Sequence, residues 1–522
     1  MSTEAAQTKK SVILINPRVC GRDSIRLPLS VLALGAALEG KYEYAIVDGN
    51  VETDATGAVL GALRDRPAAL VALTVMPGPQ LIPAIGISAA VRARYPDAPI
   101  VWGGYFPTLY TAAALNAPYV DYAVRGPGEH TLVELLERLR DAGPPASHMS
   151  ARDPGALHGI RGLSWKHLGQ VVHNPPRPFA SPDDLPPIPY QRLGDVQQYL
   201  RPTFLGTRTA VHQAAIGCRY HCEFCGVVSM FDGHTELQGA TRLREAVTTL
   251  RDGYRATAIQ FFDHNFFDSE ARSMPILEEL AALALPWWCY ARADTLANFS
   301  TRTWELIARS RLRMAYVGAE AASDDILKRM RKGTRIEHTF AVARRCREYG
   351  VIPEFSFVLG GPEDPEAEIE KTFRFVRKLK AIYPECEVIL YFYSPTPQRS
   401  RAAVHASAPG EVRLPVLETY GPSGPALPTT PEEWTEPQWM DFVCHRDAPW
   451  LSAKVRRRVA DFANVLGCRF PTVQDATTPA WGKALLRELA RWRYATGVYA
   501  KPRELDLARR VVRLRQPERD SI

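Results

Sequence analysis

Three cysteines in one short stretch are the residues of this sequence best suited to chemistry. Cys218, Cys222 and Cys225 lie in the segment "IGCRYHCEFCGVV", whereas the other six of the nine cysteines stand singly. A structural zinc site takes four ligands, usually from two CxxC-type pairs, and the sequence has no second pair. Arg219 and His221 stand between the cysteines, which argues against a buried structural role.

Three neighbouring thiolates are suited to an iron–sulfur cluster with one open metal position. A cluster of four irons is normally held by four thiolates, so three thiolates leave one iron without a protein ligand. Catalytic metal sites keep such a position open, as catalytic zinc does. The missing fourth cysteine therefore favours a catalytic cluster.

An alternation of strand and helix patterns must position this cysteine loop. Apolar strand patterns separated by helical patterns occupy residues 210–217, 258–265, 286–294, 313–320, 353–361 and 386–395. Six such units predict an incomplete parallel (β/α)6 barrel over residues 206–400, with its active site at the carboxyl ends of the strands. The cysteines follow the first strand and are therefore expected on the catalytic face.

A second β/α pattern precedes the barrel. Residues 10–145 predict a doubly wound, Rossmann-like domain that binds its ligand outside the carboxyl ends of the strands. The proline-rich residues 146–205 predict a linker, and residues 401–522 predict a mostly helical C-terminal domain. The sequence thus predicts an α/β protein of three domains and one linker.

Composition and charge indicate the class of the protein, its location and its partners. The content of 46% hydrophobic and 23% charged residues is that of a soluble globular protein, and no apolar run approaches the ~18 residues that cross a bilayer. The start lacks a signal peptide and the cysteines are few, which predicts a cytoplasmic protein. Residues 451–522 hold 16 Lys and Arg against 7 Asp and Glu. We interpret this basic tail as a solvated helical face, with no nucleic-acid partner and with peripheral membrane contact left open.

The spacing C-x3-C-x2-C, with Phe224 before the third cysteine and a β/α strand before the first, resembles the radical S-adenosylmethionine (SAM) superfamily. The resemblance implies that Cys218, Cys222 and Cys225 hold a [4Fe–4S] cluster whose open iron binds the amino and carboxylate groups of SAM. An electron from the cluster then cleaves SAM to methionine and a 5′-deoxyadenosyl radical. The implied electron donor is a protein such as flavodoxin or ferredoxin.

Two further strand ends resemble SAM-binding motifs of that superfamily. The fourth-strand motif implies that Glu320 faces SAM, although Ala321 stands where a serine is usual. The fifth-strand motif implies that the backbone of Gly360, Gly361 and Pro362 approaches the adenine.

The second and third strands also end in polar residues. In "FFDHNFF", Asp263 and Asn265 are implied contacts of SAM or substrate, and His264 is a candidate for substrate contact. Arg292 is the other catalytic candidate, although a local ion pair with Asp294 would explain an arginine at this position equally well.

The first domain has neither a G-x-G-x-x-G fingerprint after its first strand nor a P-loop. The segments "LTVMPGPQ", "VWGGYFPT" and "VRGPGEHTL" instead resemble the cobalamin-binding domain of class B radical SAM enzymes. The resemblance implies cobalamin contacts from Thr74, Gly103, Gly104, Gly126 and Gly128. The alternative is a degenerate flavodoxin-like domain without a ligand.

Two departures from the cobalamin-binding pattern concern histidine. Phe106 stands where a histidine is common, and "VDGNVETD" lacks the histidine of the Asp-x-His-x-x-G motif that binds cobalt. The first histidine of the chain is His130. Bound cobalamin is therefore expected to have no histidine ligand from the protein.

Together the resemblances imply a cobalamin-dependent radical SAM C-methyltransferase that acts on an unactivated carbon. One SAM gives its methyl group to cobalamin, and a second supplies the radical that removes a hydrogen from the substrate before methylation. Two alternatives remain: ring formation or oxidative rearrangement without methyl transfer, and a cobalamin-binding sensor with an inactive barrel. The aromatic residues Trp287, Trp288 and Tyr290, together with the tryptophan-rich basic tail, indicate a large apolar or anionic small-molecule substrate, such as a natural-product scaffold, a polycyclic lipid or a tetrapyrrole.

Overall fold

The computed structural model describes residues 11–65, 68–141, 154–361, 364–394, 427–447, 451–475 and 477–514. Within these residues, two seven-stranded sheets and one two-stranded sheet are flanked by helices. The predicted α/β class is therefore confirmed. The sheets matter for function because their strand ends carry the candidate site residues.

The first sheet has the strand order β2-β1-β3-β4-β5-β6-β7. Its strands are β1 Ser11–Asn16, β2 Glu43–Asp48, β3 Ala68–Thr74, β4 Ile100–Gly103, β5 Tyr122–Val124, β6 Leu163–His167 and β7 Gln170–His173. Its helices are α1 Leu29–Leu38, α2 Ala55–Asp65, α3 Leu81–Arg94, α4 Tyr105–Leu109, α5 Thr111–Asn116, α6 Glu129–Asp141 and α7 Pro154–Leu157. Strands β1 to β5 are parallel, and separate apolar clusters cover the two faces of the sheet. This part is doubly wound, as predicted.

The prediction of a linker is wrong for residues 163–173. These residues form the hairpin of β6 and β7, which adds two antiparallel strands to the edge of the first sheet beside β5. The hairpin turns at Leu168 and Gly169, which have φ values of 49° and 76°. Positive φ at both central residues is the geometry of a tight hairpin turn. The two strands are short and lie among prolines, so their pattern was not recognised.

The second sheet has the strand order β16-β15-β14-β13-β12-β9-β8. Its strands are β8 Arg201–Thr203, β9 Gly206–His212, β12 Ala258–Phe261, β13 Trp287–Arg292, β14 Leu312–Glu320, β15 Ile352–Leu359 and β16 Glu387–Phe392. Its helices are α8 Val227–Phe231, α9 Ala240–Thr248, α10 Glu270–Leu283, α11 Ala293–Ala297, α12 Thr301–Arg309, α13 Asp324–Arg329, α14 Ile336–Tyr349 and α15 Pro365–Ile382. Six strands are parallel, which confirms the partial (β/α)6 barrel, and β8 is an antiparallel edge.

The first barrel strand is shorter than predicted. Strand β9 ends at His212, and the rest of the predicted strand forms β10 (Ala215–Gly217), which pairs with β11 (Thr235–Leu237) in a separate antiparallel sheet. Gly217 has a φ of +79°, and a Cβ on it would lie 2.3 Å from the carbonyl oxygen of His234. Only glycine fits this turn, which leads directly into Cys218.

Helix ends in the barrel follow ordinary capping chemistry. The hydroxyls of Ser269 and Ser300 accept hydrogen bonds from backbone N–H groups at the starts of α10 and α12. Asp364 caps α15, and Gly350 ends α14 in the left-handed conformation. The helices therefore begin and end where the sequence provides the caps.

The C-terminal region is mostly helical, as predicted, with helices α16 Pro437–Val443, α17 Ala453–Arg469, α18 Ala480–Thr496 and α19 Arg503–Val512. It is not one separate unit. Trp434 and Trp439 belong to the apolar core of the first sheet, whereas Phe462 stacks on Phe373 of the barrel at a centroid distance of 3.8 Å. The region therefore joins the two sheets. No helix among the described residues has the length and apolar character of a membrane span.

Candidate functional site

The three cysteines lie in the loop between β10 and α8, on the face where the parallel barrel strands end. The backbone N–H of Cys225 donates to the carbonyl of Cys222 (3.2 Å), and that of Val228 donates to the carbonyl of Cys225 (3.2 Å). A third hydrogen bond, from the N–H of Glu223 to the carbonyl of Met330 (3.0 Å), ties the loop to the segment after α13. These contacts fix the backbone that carries the thiols.

The thiols lie close enough to affect one another's ionisation. Burial, together with the neighbouring Cys222 and Cys218, raises the pKa of Cys225 to about 12. Burial also raises the pKa of Cys218, whereas Arg292 and Lys332 act in the opposite direction. A metal that binds here must displace the protons, and the two cations favour the resulting thiolates.

The arrangement fits a cluster better than a single metal ion. Among the described residues, no three His, Cys, Asp or Glu side chains are grouped as ligands of one ion. In a four-iron cluster each thiolate binds a different iron, so the three sulfurs need not converge on one point. The donor set of three thiols therefore remains compatible with such a cluster.

Arg292 lies against the cysteine loop at the end of β13. Its Nη1 donates to Sγ of Cys222 (3.5 Å), and its guanidinium carbon lies 3.4 Å from the ring centroid of Tyr220. It also forms the predicted ion pair with Asp294, at 3.0 Å between Nε and Oδ1, and donates to the carbonyl of Lys332. The local ion pair is real, but the same side chain also contacts a cluster cysteine.

Glu320 ends β14 in the left-handed backbone region, with a φ of 61°. Its Oε1 lies 2.6 Å from Nζ of Lys332, and its Oε2 accepts from the hydroxyl of Ser356 (3.3 Å). A Cβ on Gly318 would lie 2.2 Å from this carboxylate, so the glycine makes room for the ion pair. The sequence analysis missed Lys332, because nothing near it in the sequence indicates its partner.

The end of β12 buries polar atoms without protein partners. Oδ1 of Asp263 accepts from the N–H of Ala215, whereas Oδ2 has no partner among the described residues. Burial raises the pKa of Asp263 to about 7. Asn265 donates to the carbonyl of Phe267 (3.0 Å), and its Oδ1 also lacks a partner there. Buried polar atoms normally have partners, so these oxygens are suited to a ligand.

His264 follows Asp263 and lies beside Phe231 of α8, at a ring-centroid distance of 4.9 Å. Its Nδ1 has no hydrogen-bond partner among the described residues. Burial lowers the pKa of His264 to about 4, so its imidazole is neutral at physiological pH. The side chain can therefore donate or accept a hydrogen bond, but it carries no charge to a substrate.

The glycines after β15, which were predicted to approach the adenine of SAM, contact other parts of the protein. A Cβ on Gly360, at φ +77°, would lie 2.7 Å from Cδ1 of Leu451, and the N–H of Gly361 donates to Glu368 (3.2 Å). The side of Gly360 that lacks a side chain is thus filled by the C-terminal region. Pro362 lies outside the described residues.

The candidate cobalamin residues of the first domain form one connected edge. A Cβ on Gly104, at φ +93°, would lie 3.1 Å from Oγ1 of Thr74, and the N–H of Val75 donates to the carbonyl of Gly103 (2.8 Å). The hydroxyl of Thr108 donates to the carbonyl of Gly104 (2.6 Å) and accepts from the N–H of Gly126 (3.1 Å). The ends of β3, β4 and β5 therefore hold one another in place, with glycine backbone where a planar ligand must approach closely.

Two residues of this edge serve packing. A Cβ on Gly128 would lie 3.4 Å from Val124 and 3.5 Å from Leu34, which places the glycine against α1. Phe106, where a histidine is common, is fully buried and packs edge-on against Trp102 and Trp434. An apolar ring at this position extends the core that also holds the C-terminal region.

Hydrogen bonds join the loops after β1 and β2. Neither loop contains a histidine. The side chains of Asn16 and Asn50 both donate to Oδ1 of Asp48, at 2.9 and 3.0 Å, and Oδ1 of Asn50 accepts from the N–H groups of Val19 and Cys20. Nε2 of Gln80 also donates to Oδ1 of Asn16 (2.9 Å), so this network joins the ends of β1 and β2 to the start of α3.

The cysteine loop lies in direct contact with the edge formed by the ends of β3, β4 and β5. Helix α8, which follows the cysteines, packs against α4, which follows Gly103 and Gly104. The ring of Tyr105 in α4 covers Gly226, the residue after Cys225. A second contact joins Gly126 and Met230, since a Cβ on the glycine would lie 3.5 Å from the carbonyl oxygen of the methionine.

Comparisons with known proteins agree with the two halves of this site. Two family models match: the B12 binding domain over residues 23–136 and the Radical SAM superfamily over residues 214–376. An uncharacterised methyltransferase of Pyrococcus horikoshii is 25% identical over 361 residues, which are 69% of this chain and 74% of that protein. An anaerobic magnesium-protoporphyrin IX monomethyl ester cyclase of Synechocystis is 22% identical over 313 residues, 59% of this chain and 58% of that protein.

One solved structure is similar over almost the whole chain. The radical SAM methyltransferase TsrM from Kitasatospora setae, with cobalamin and a [4Fe–4S] cluster bound, superposes with a TM-score of 0.63 at 19% identity. The comparison covers 97% of this chain and 99% of that chain, so it includes the C-terminal helices.

Proposed function

We propose that the chain is a cobalamin-dependent radical SAM enzyme and, more specifically, a C-methyltransferase that acts on an unactivated carbon of a small molecule. Its cofactors are a [4Fe–4S] cluster, SAM and cobalamin. The observation that carries the proposal is the direct contact between the cysteine loop and the cobalamin edge through α8 and α4. A substrate at this boundary is within reach of both the radical generator and the methyl carrier.

The residues of the chain have distinct parts in this proposal. When bound, the cluster supplies the electron that cleaves SAM, and cobalamin carries the methyl group. Cys218, Cys222 and Cys225 hold the cluster. The ion pair of Glu320 and Lys332 is buried near the cysteines, which suits it to orient a charged end of SAM.

The end of β12 provides the proposed substrate contacts. Oδ1 of Asn265 accepts a hydrogen bond from SAM or substrate, and Oδ2 of Asp263 donates one when protonated and accepts one when ionised. Neutral His264 bonds to the substrate without adding charge. We further propose a flavodoxin or ferredoxin as electron donor, a cytoplasmic location and a substrate of natural-product, lipid or tetrapyrrole type.

The test is turnover with SAM that carries a CD3 group, under anaerobic reduction and with candidate substrates from the genomic neighbourhood. The expected result is a product that contains the CD3 label, together with S-adenosylhomocysteine and 5′-deoxyadenosine. Label-free product that accumulates with 5′-deoxyadenosine would contradict methyl transfer.

The second candidate is ring formation without methyl transfer, which the similarity to the cyclase of Synechocystis favours. The same experiment separates the two candidates, because the cyclase reaction consumes SAM only as a radical source. A sensor with an inactive barrel would form neither product of SAM with the right substrate.

A further inference from the structure

Tyr105 lies where the two proposed cofactor sites meet. It is the first residue of α4, directly after the glycine pair at the end of β4. Its ring extends toward the barrel, and burial raises its pKa well above the usual tyrosine value, with Cys225 as a further cause. The phenol is therefore half-buried beside the loop that carries the three cysteines.

The ring of Tyr105 fills the space that a side chain at position 226 would occupy. A Cβ on Gly226 would lie 2.6 Å from Oη of Tyr105, 2.8 Å from Cε1 and 3.0 Å from Cζ. Real Cβ atoms do not approach other atoms so closely, so the ring or the loop would have to shift to admit one. Gly226 and Tyr105 are thus complementary in shape.

On the side of Tyr105, hydrogen bonds link this contact to the cobalamin edge. The carbonyl of Gly104 accepts from Thr108, and Thr108 also holds the N–H of Gly126. On the other side, Gly226 follows Cys225 and precedes α8. One short path of packed and hydrogen-bonded groups thus runs from the end of β5 to a cluster ligand.

We propose that Tyr105 is a positioning residue that couples the two cofactor sites, so that cobalamin binds more tightly when the cluster is in place. The ring holds the loop after β4 against the cluster loop, and a cluster that orders one loop thereby orders the other. By linkage, bound cobalamin stabilises the cluster loop to the same extent. This inference rests on the cofactors of the proposed function, but not on the identity of the substrate or the reaction.

The experiment measures the Kd of hydroxocobalamin for the full-length protein with and without its reconstituted cluster, under anaerobic conditions. We expect a ratio of the two Kd values of at least about fivefold, the lower end of ordinary allosteric coupling. In Tyr105→Ala the ratio should fall to about one, because the ring that connects the loops is gone. Iron content is measured on every variant.

A compensating pair tests the contact itself. Gly226→Ala places a methyl group 2.6 Å from Oη of Tyr105 and should lower the iron content, because the two side chains cannot both keep their places. The double variant Tyr105→Ala/Gly226→Ala should recover the iron content. The controls are Gly253→Ala, where a Cβ meets nothing within 4 Å, and Tyr110→Phe, whose ring packs 4.2 Å from Trp434 instead. Both controls should keep the iron content and the Kd ratio of the wild type.

The outcomes separate the coupling from the cofactor assignment. If the wild-type protein binds no cobalamin or no cluster, the assignment is wrong and the coupling fails with it. If both bind but the wild-type ratio is one, or if Tyr105→Ala keeps the wild-type ratio, the coupling alone is overturned. Failure of the double variant to recover iron would show that the loop does not depend on the fit of the ring to Gly226.

Discussion

Lys332 and Glu320 form a buried ion pair in which Nζ lies 2.6 Å from Oε1, and each side chain is less than a tenth exposed. Burial opposes the charge on Lys332, but Glu320 and the Cys222 thiolate outweigh it and raise the pKa of Lys332 above its usual value. The pair joins the end of β14 to the segment after α13. It places one charge of each sign beside the proposed SAM site.

Removal of Lys332 should destabilise the barrel. Lys332→Met leaves a buried carboxylate without its partner, which ordinarily costs about 3–5 kcal/mol of unfolding free energy. The double variant Lys332→Met/Glu320→Gln should recover most of this loss, because no charge remains buried. Thermal unfolding of the three proteins provides the measurement, and equal stability of the single and double variants would contradict the ion-pair account.

Each cluster cysteine should be required for iron. Changing Cys218, Cys222 or Cys225 to Ala should leave two thiolates and lose the site, whereas the reconstituted wild type should hold about four irons per chain. The matched control is Cys346→Ala, a buried cysteine in α14 away from the loop. Iron and sulfide analysis decides the matter, and full iron content in Cys222→Ala would refute the assignment.

Arg292 should raise the reduction potential of the cluster. Its guanidinium donates to Cys222 from a buried position, and a nearby positive charge favours the more negative reduced state. Arg292→Gln should therefore shift the potential downward in a potentiometric titration followed by electron paramagnetic resonance. The control Arg331→Gln removes an exposed cation that pairs with Glu223 of the same loop, so solvent screening should make its shift smaller. Equal shifts in the two variants would be evidence against a direct effect through Cys222.

Asp263 should make stability depend on pH. Burial raises its folded-state pKa to about 7, so the folded protein keeps a proton that the unfolded chain releases at lower pH. The resulting stabilisation is complete below the ordinary carboxyl pKa and is lost as the pH rises through about 7. Three pKa units correspond to about 4 kcal/mol, which is an upper limit here.

The variant Asp263→Asn should therefore lose less stability than the wild type between about pH 5 and pH 8. Thermal unfolding across this range is the measurement. Asp252→Asn, which changes an exposed carboxyl of the barrel, should leave the pH profile of the wild type unchanged. Parallel profiles for Asp263→Asn and the wild type would show that Asp263 ionises normally in the folded protein.

Cobalamin in the first domain should bind with its own base displaced from cobalt and with no imidazole from the protein in its place. The sequence has no histidine before His130, and Asn16, Asp48 and Asn50 are bound to one another at the ends of β1 and β2. The electron paramagnetic resonance spectrum of bound cob(II)alamin should lack nitrogen superhyperfine structure. Free cob(II)alamin, whose own base binds cobalt, provides the reference, and a nitrogen pattern in the bound form would disprove the expectation.

Short-range spacing in the sequence was sufficient to predict several elements of the fold and several residues of the candidate site. The C-x3-C-x2-C loop, the six β/α units and the glycines at the strand ends could be read directly, because a few neighbouring positions define each pattern. The two sheets were therefore predicted correctly in class and order of domains. The β6–β7 hairpin was missed, because two short strands between prolines give almost no periodic signal.

The contact partners of the site residues follow from packing and could not be predicted from sequence spacing. Arg292 meets Cys222 across 70 positions of sequence, Tyr105 covers Gly226, and Leu451 fills the space beside Gly360. Lys332 is only 12 positions from Glu320, yet α13 and a turn separate them. Such contacts depend on how packed elements bring distant side chains together. Sequence spacing determines which residues a strand end offers, and packing determines which of them touch.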